Sequence, residues 1–187
     1  MKKSTITKRE KFAREAVEGA AKLGKSPYYL FEEAEGKQYI TNKRSTMALG
    51  FAEAVCKISQ FDHFPLARIF KDKRNSNMKP LEVPTLAELK QYRKDIRKLK
   101  EKLPIDFGEG MPAVSVDLLI TAIENMENVE FFYSGMNEAI YGRTPMEYSN
   151  VIKDQKCDEC LIMPCRKMTG NHGKTDLEAI HKRAENA

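Results

Sequence analysis

The sequence predicts a mainly α protein with minor β content: a helical domain of five to six helices, at most one small β-hairpin near 28–41, and a C-terminal Cys/His metal-binding appendage. Three observations predict it. Apolar residues recur at helical spacing through most of the chain. Ser and Thr residues stand as caps just before several of those runs. Three of the four cysteines, Cys157, Cys160 and Cys165, fall within nine residues in an otherwise polar tail. The division that follows is a mainly helical domain over 1–152 and a small Cys/His zinc-binding module over 153–187.

Each element has its own local signal. Thr7-Lys8-Arg9-Glu10 reads as a capping box, and Phe12, Ala13, Ala16, Val17, Ala20 and Ala21 follow it at helical spacing, with Gly24 as the stop. Tyr28-Tyr29-Leu30-Phe31, the Glu35-Gly36 turn and Gln38-Tyr39-Ile40-Thr41 read as the hairpin. The rival there is a short helix from Pro27 to Ala34, because Glu32, Glu33 and Ala34 are helix formers. Ser45 caps a helix whose stripe is Met47, Phe51, Ala54, Val55 and Ile58. Phe61 to Pro84 has no regular period, and Lys71 to Asn77 reads as a basic loop. Thr85 opens the clearest helix, with Leu89, Tyr92, Ile96, Leu99 and Leu103 in a two-heptad seam that Pro104 ends. Ser115 caps a long core helix running Val116, Leu119, Ile120, Ile123, Met126, Val129, Phe132, Tyr133, Met136 and Ile140, with Gly142 as its stop and Asn128 or Gly135 as places where it splits. Thr144-Pro145-Met146-Glu147 carries the marks of a helix restart, and a short final helix begins near Asp176.

The chain has 187 residues, 41% hydrophobic and 32% charged, with a mean hydropathy of −0.56. A domain of this size buries roughly 70% of its unfolded surface and needs no staple to fold. No apolar run approaches the ~18 residues of a membrane span, so no membrane partner is expected. Met1-Lys2-Lys3-Ser4-Thr5 is basic but leads into a charged stretch, so the expectation is no secretory signal and a cytoplasmic location. In a reducing compartment a cysteine cluster points to metal before disulfide.

The net charge of +5 is unevenly placed. Residues 1–103 hold 24 basic and 13 acidic side chains, a net +11; residues 104–152 are −7, and 153–187 are +1. A +11 segment can attract a polyanion by counterion release, so the expected partner is nucleic acid, DNA or RNA. The candidate contacts are Lys37, Lys43, Arg44, Arg68, Lys71, Lys73, Arg74, Arg93, Lys94, Arg97 and Lys98. The bland readings are a solvated face, in which Glu88, Asp95 and Glu101 pair with Lys or Arg three or four residues away, and two halves that attract each other within the fold. Tyr28, Tyr29, Phe31 and Tyr39 can form a stacking platform for bases or pack a hairpin onto a helix, the commoner use. A ββα or helix-turn-helix DNA-binding layout around Tyr28–Ile58 lacks a distinctive motif.

Cys157, Cys160, Cys165 and His172 supply three sulfurs and one imidazole, the closed tetrahedral shell of a structural zinc ion. The first three ligands match the spacing of a retroviral-type zinc knuckle with Cys in place of its His. The interval to the fourth ligand differs and that family's glycine and aromatic positions are missing, so the match is one of geometry. His181 and Cys56 are alternative fourth ligands. With Cys56 the set also fits the iron–sulfur staple of some nucleases, although the clustered carboxylates such nucleases need are absent and Asp154-Gln155-Lys156 stands alone. Plain reduced cysteines are the remaining reading.

Other chemistry finds little material. There is no Gly-rich phosphate loop, no His-Glu-x-x-His and no Gly-x-Ser-x-Gly. Asp62-His63 and the pair His172, His181 are weak acid–base candidates. The sequence therefore favours a non-enzyme: first a nucleic-acid-binding accessory or regulatory protein with structural zinc. The alternative is a protein-binding adaptor or inhibitor of the small mobile-element or phage type, meeting a partner or a second copy through 89–103 or 116–140. A metal-dependent nuclease with an iron–sulfur or zinc staple comes third.

Overall fold

The computed structural model describes Lys11 and residues 29–34, 37–41, 45–49, 66–126, 128–145, 158–165 and 174–187. These residues form an α+β fold, which overturns the mainly helical expectation. The expected first helix beyond Lys11, the Met47–Ile58 stripe beyond Leu49, His63, Cys56, Cys157 and His172 lie outside the described residues.

The chain runs β1 (Tyr29–Ala34), β2 (Lys37–Thr41), β3 (Ser45–Leu49), α1 (Leu66–Arg74), β4 (Lys79–Leu81), α2 (Leu86–Lys98), β5 (Ile105–Asp106), β6 (Ala113–Val114), α3 (Val116–Asn125), β7 (Glu130–Tyr133), β8 (Ile140–Arg143), β9 (Glu159–Ile162) and α4 (Leu177–Glu185). Seven strands make one antiparallel sheet in the order β1-β2-β3-β9-β8-β7-β4, and β5 with β6 makes a two-stranded ribbon. The hairpin near 28–41 is present, with Tyr29 opposite Thr41 and Phe31 opposite Tyr39, and it forms one end of the large sheet.

Strand alternation gives the sheet two inner faces. One cross-strand row carries Ile40, Cys160, Gly142, Phe131 and Leu81, and these residues join the main core. Helix α3 lies over that face, α2 packs on α3 and α4 packs on α2, so that Leu89, Tyr92, Ile96, Leu119, Ile120 and Ala122 share one core with those strand residues. On the other face Tyr39, Tyr141 and Leu161 pack with Phe70 of α1. Both faces are covered, so β8 and β9 are buried along almost their whole length and lack the polar alternation of a half-exposed strand.

That burial explains the principal correction. The apolar run from Val116 to Ile140 is not one helix: α3 ends at Asn125, Asn128 takes a left-handed φ of 49°, and Phe131, Phe132 and Tyr133 lie in β7. An unbroken apolar run fits a buried strand as well as a helix, and the aromatic cluster decides for strand here. Ser45 opens β3 rather than capping a helix. The Thr144 amide donates to the Asp158 carbonyl and its hydroxyl accepts from the Asp158 amide, both at 3.0 Å, extending the β8–β9 ladder, and the helix restart expected at Thr144-Pro145-Met146-Glu147 lies outside the described residues from Met146 on. The appendage is corrected too. β9 is the central strand of the sheet and α4 packs on α2, so these tail segments belong to the body of the fold.

Two helices follow the sequence closely. Thr85 caps α2 with a full capping box, its hydroxyl accepting from the Glu88 amide while the Glu88 carboxylate accepts from the Thr85 amide at 2.7 Å. The Asp176 side chain caps α4 by accepting from the Ala179 amide. The seam of α2 faces α3 and α4 of the same chain.

Candidate nucleic-acid interface

The cationic residues divide into those tied into the fold and those open to solvent. On α1, Arg74 makes a bidentate pair with Glu159, at 2.5 Å from Nε and 2.8 Å from Nη2. The Glu159 carboxylate is buried in the sheet and also accepts from the Tyr141 hydroxyl at 2.6 Å. Burial and that carboxylate push the Tyr141 phenol up from its usual range. Lys73 donates to Ser134 at 2.7 Å and lies 3.5 Å from Glu138, with its side chain 11% exposed. Arg68 and Lys71 are exposed, and Arg68 has only a loose contact to Asp72 at 3.8 Å. Lys37 sits in β2 opposite Ala34, and Lys43 and Arg44 lie outside the described residues.

On α2 one flank meets the acidic helix α3. Lys90 pairs with Glu124 at 2.6 Å, Arg93 with Asp117 at 3.4 Å, and the largely exposed Arg97 reaches Asp117 at 3.9 Å. This is the attraction between basic and acidic halves that the charge map allows. It accounts for Arg93 and leaves Lys94 and Lys98 exposed.

The acids within the basic segment are occupied elsewhere. Glu88 serves the Thr85 cap, and those hydrogen bonds from the hydroxyl and amide hold its carboxyl below the usual range. Asp95 is buried, accepting from Gln91 Nε2 at 2.9 Å and lying 3.0 Å from His181 Nδ1 of α4. Glu101 accepts from Arg183 of α4 at 2.5 Å. Among the described residues, Lys94, Lys98, Lys100 and Lys102 make no ion pair, and all four are exposed. With Arg97 they form a cationic strip along the last turns of α2 and the segment after it.

Lys100 and Lys102 complete the strip, although the sequence reading did not place them among the contacts. The turn that carries them is well fixed. The Glu101 amide donates to the Ile96 carbonyl at 2.8 Å and Lys100 adopts φ 57°, the left-handed helix end that usually takes glycine. The Tyr92 hydroxyl donates to the Pro104 carbonyl at 3.2 Å, and burial pushes its phenol up to about 12. A Lys run past a helix end was the available signal.

Of the aromatic cluster, Tyr39 takes the commoner use. Tyr39 is buried with its ring 5.6 Å from that of Phe70, so it packs a hairpin onto a helix.

The four expected metal ligands are divided. Cys160 is fully buried in the main core, and burial pushes its thiol up to about 12. Cys165 is exposed, its amide donating to the Ala113 carbonyl at 2.7 Å. Cys157, His172 and the alternative ligand Cys56 lie outside the described residues, and the other alternative, His181, faces Asp95. Among the described residues no group of three His, Cys, Asp or Glu side chains is placed to hold a metal ion. No helix among them is long and apolar enough to cross a membrane. No protein family, curated protein or solved structure matches the chain.

Proposed function

We propose that this chain is a nucleic-acid-binding accessory protein whose phosphate contact is the strip Lys94, Arg97, Lys98, Lys100 and Lys102. One observation carries the reading: the acidic residues within the same segment are each engaged by another group, so the strip keeps its positive charge. Lysines near a helix C-terminus also favour the helix dipole, but that effect acts within the last turn and gives no reason for Lys100 or Lys102. Contacts of this kind read the backbone and not the base sequence, which suits an accessory role.

The test is binding of labelled duplex and single-stranded DNA and RNA across a salt series. Each phosphate neutralised adds about 0.9 to the slope of log affinity against log salt for duplex DNA. Lys94→Glu/Lys98→Glu is expected to lower that slope by about 2 and to weaken binding to every sequence alike. Salt-independent binding, or none at low salt, would contradict the reading. Co-purification of one stoichiometric protein that survives nuclease would favour the adaptor alternative.

A further inference from the structure

Two polar contacts that hold α4 on α2 end on acids of the basic segment. His181 meets Asp95 at 3.0 Å and Arg183 meets Glu101 at 2.5 Å, while Gln91 holds the second oxygen of Asp95 at 2.9 Å. Leu177 and Ile180 pack against the main core beside them, and Ala184 is buried. Without α4, Asp95 would stand three residues before Lys98 on the helix, and Glu101 would lie between Lys100 and Lys102. The first is the spacing of an ordinary helical ion pair.

We propose that docking of α4 regulates the affinity of the cationic strip for polyanions. Docked, α4 supplies His181 and Arg183 to Asp95 and Glu101, and the four lysines stay open. Undocked, the two carboxylates turn onto those lysines and bring negative charge to the surface that meets phosphate. The inference rests on the interface reading above and concerns the regulation of that same site. Because coupling between two equilibria is reciprocal, a bound polyanion tightens α4 in turn.

The experiment uses the full chain and a labelled DNA duplex of about two helical turns at ~0.15 M salt. His181→Ala/Arg183→Ala is expected to bind about 5- to 30-fold more weakly, the loss of one to two phosphate contacts. Asp95→Asn/Glu101→Gln is expected to restore most of the affinity of that variant while changing the affinity of the otherwise wild-type chain little, whereas a mere charge effect would raise both alike. In wild type, the duplex is expected to slow hydrogen exchange of the 177–185 amides, a readout that needs no variant to fold. Unchanged exchange on binding overturns the proposal, as does wild-type affinity in a folded His181→Ala/Arg183→Ala protein. If Lys94→Glu/Lys98→Glu leaves binding intact, the interface reading fails and this one with it. If that variant abolishes binding while the α4 variants match wild type, only the regulation by α4 is lost.

Discussion

Gly142 sits in the buried strand β8 opposite Cys160 of β9 and Phe131 of β7. An alanine Cβ there would stand 2.6 Å from Cys160 Sγ and 3.0 Å from Phe131 Cε1. Ordinary carbon contacts lie near 3.5–4.0 Å, so the sulfur would have to move by about 1 Å. Neither neighbour has room, because Cys160 is fully buried and both flanking strands are hydrogen-bonded to β8. Overpacking of this kind costs about 1–3 kcal/mol. Removing a glycine from a strand returns about 0.5–1 kcal/mol. The net expectation for Gly142→Ala is a loss of about 1–2 kcal/mol, or about 2–8 °C in Tm for a chain of this size. The assay is urea unfolding followed by far-UV circular dichroism, since the chain has no tryptophan. Cys160→Ala removes the clashing sulfur, at a cost of its own of about 1 kcal/mol. The double variant should then be more stable than the sum of the singles by about 1 kcal/mol. Strict additivity, or a Gly142→Ala protein as stable as wild type, would refute the close approach of these strands.

Three further outcomes follow from the same structure. Arg74→Met leaves the buried Glu159 carboxylate without its bidentate partner, with an expected loss of about 3 kcal/mol in a denaturant melt; a loss below about 1 kcal/mol would mean that the pair is replaceable. Cys165 is expected to be alkylated rapidly at neutral pH, and Cys160, held as a thiol near pKa 12, only at the rate of unfolding. The same preparation should be weighed for zinc: the packing of Cys160 predicts that Cys160→Ser destabilises without changing metal content, and loss of one bound zinc per chain in that variant would restore the four-ligand shell. The depressed pKa of Glu88 means that its capping contribution is fully present above the unfolded carboxylate value and is lost as pH falls through the folded one. Thr85→Ala should cost about 1 kcal/mol at neutral pH, and its gap to wild type should shrink on acidification; a pH-independent gap would contradict the reciprocal cap.

Much of the helical part was legible because its signals are local. The helix starts at Thr85 and near Asp176 and the Leu89–Tyr92–Ile96 spacing each rest on a few neighbouring residues, and the structure keeps all of them. The sheet was not, apart from its first hairpin. β7, β8 and β9 are short, and where apolar groups face both layers the period of two disappears. Helical spacing then continued by coincidence through Phe132 and Ile140. Ser45 was misread because a hydroxyl before an apolar run serves a strand as well as a cap. The cysteine spacing gave no warning that β9 turns Cys160 into the core, a consequence of pairing with Met47 and Gly142 far away in sequence. Of the proposed strip, Lys94, Arg97 and Lys98 were visible one by one in the sequence. Their freedom was not, since it depends on His181 and Arg183 reaching back across more than 80 positions.

The place of β9 also governs how this protein can be made. Tyr29–Leu49 and Lys79–Arg143 each supply three strands of the seven-stranded sheet, and among the described residues β9 is the seam between the two groups. A ribosome must therefore deliver Glu159–Ile162 before the halves can be stitched together, and every earlier nascent chain carries two open edges, at β3 and at β8. Long-range pairings of this sort are slow to close. Unpaired edges invite association with other chains. Synthesis of this protein thus has a vulnerable interval that lasts until β9 emerges.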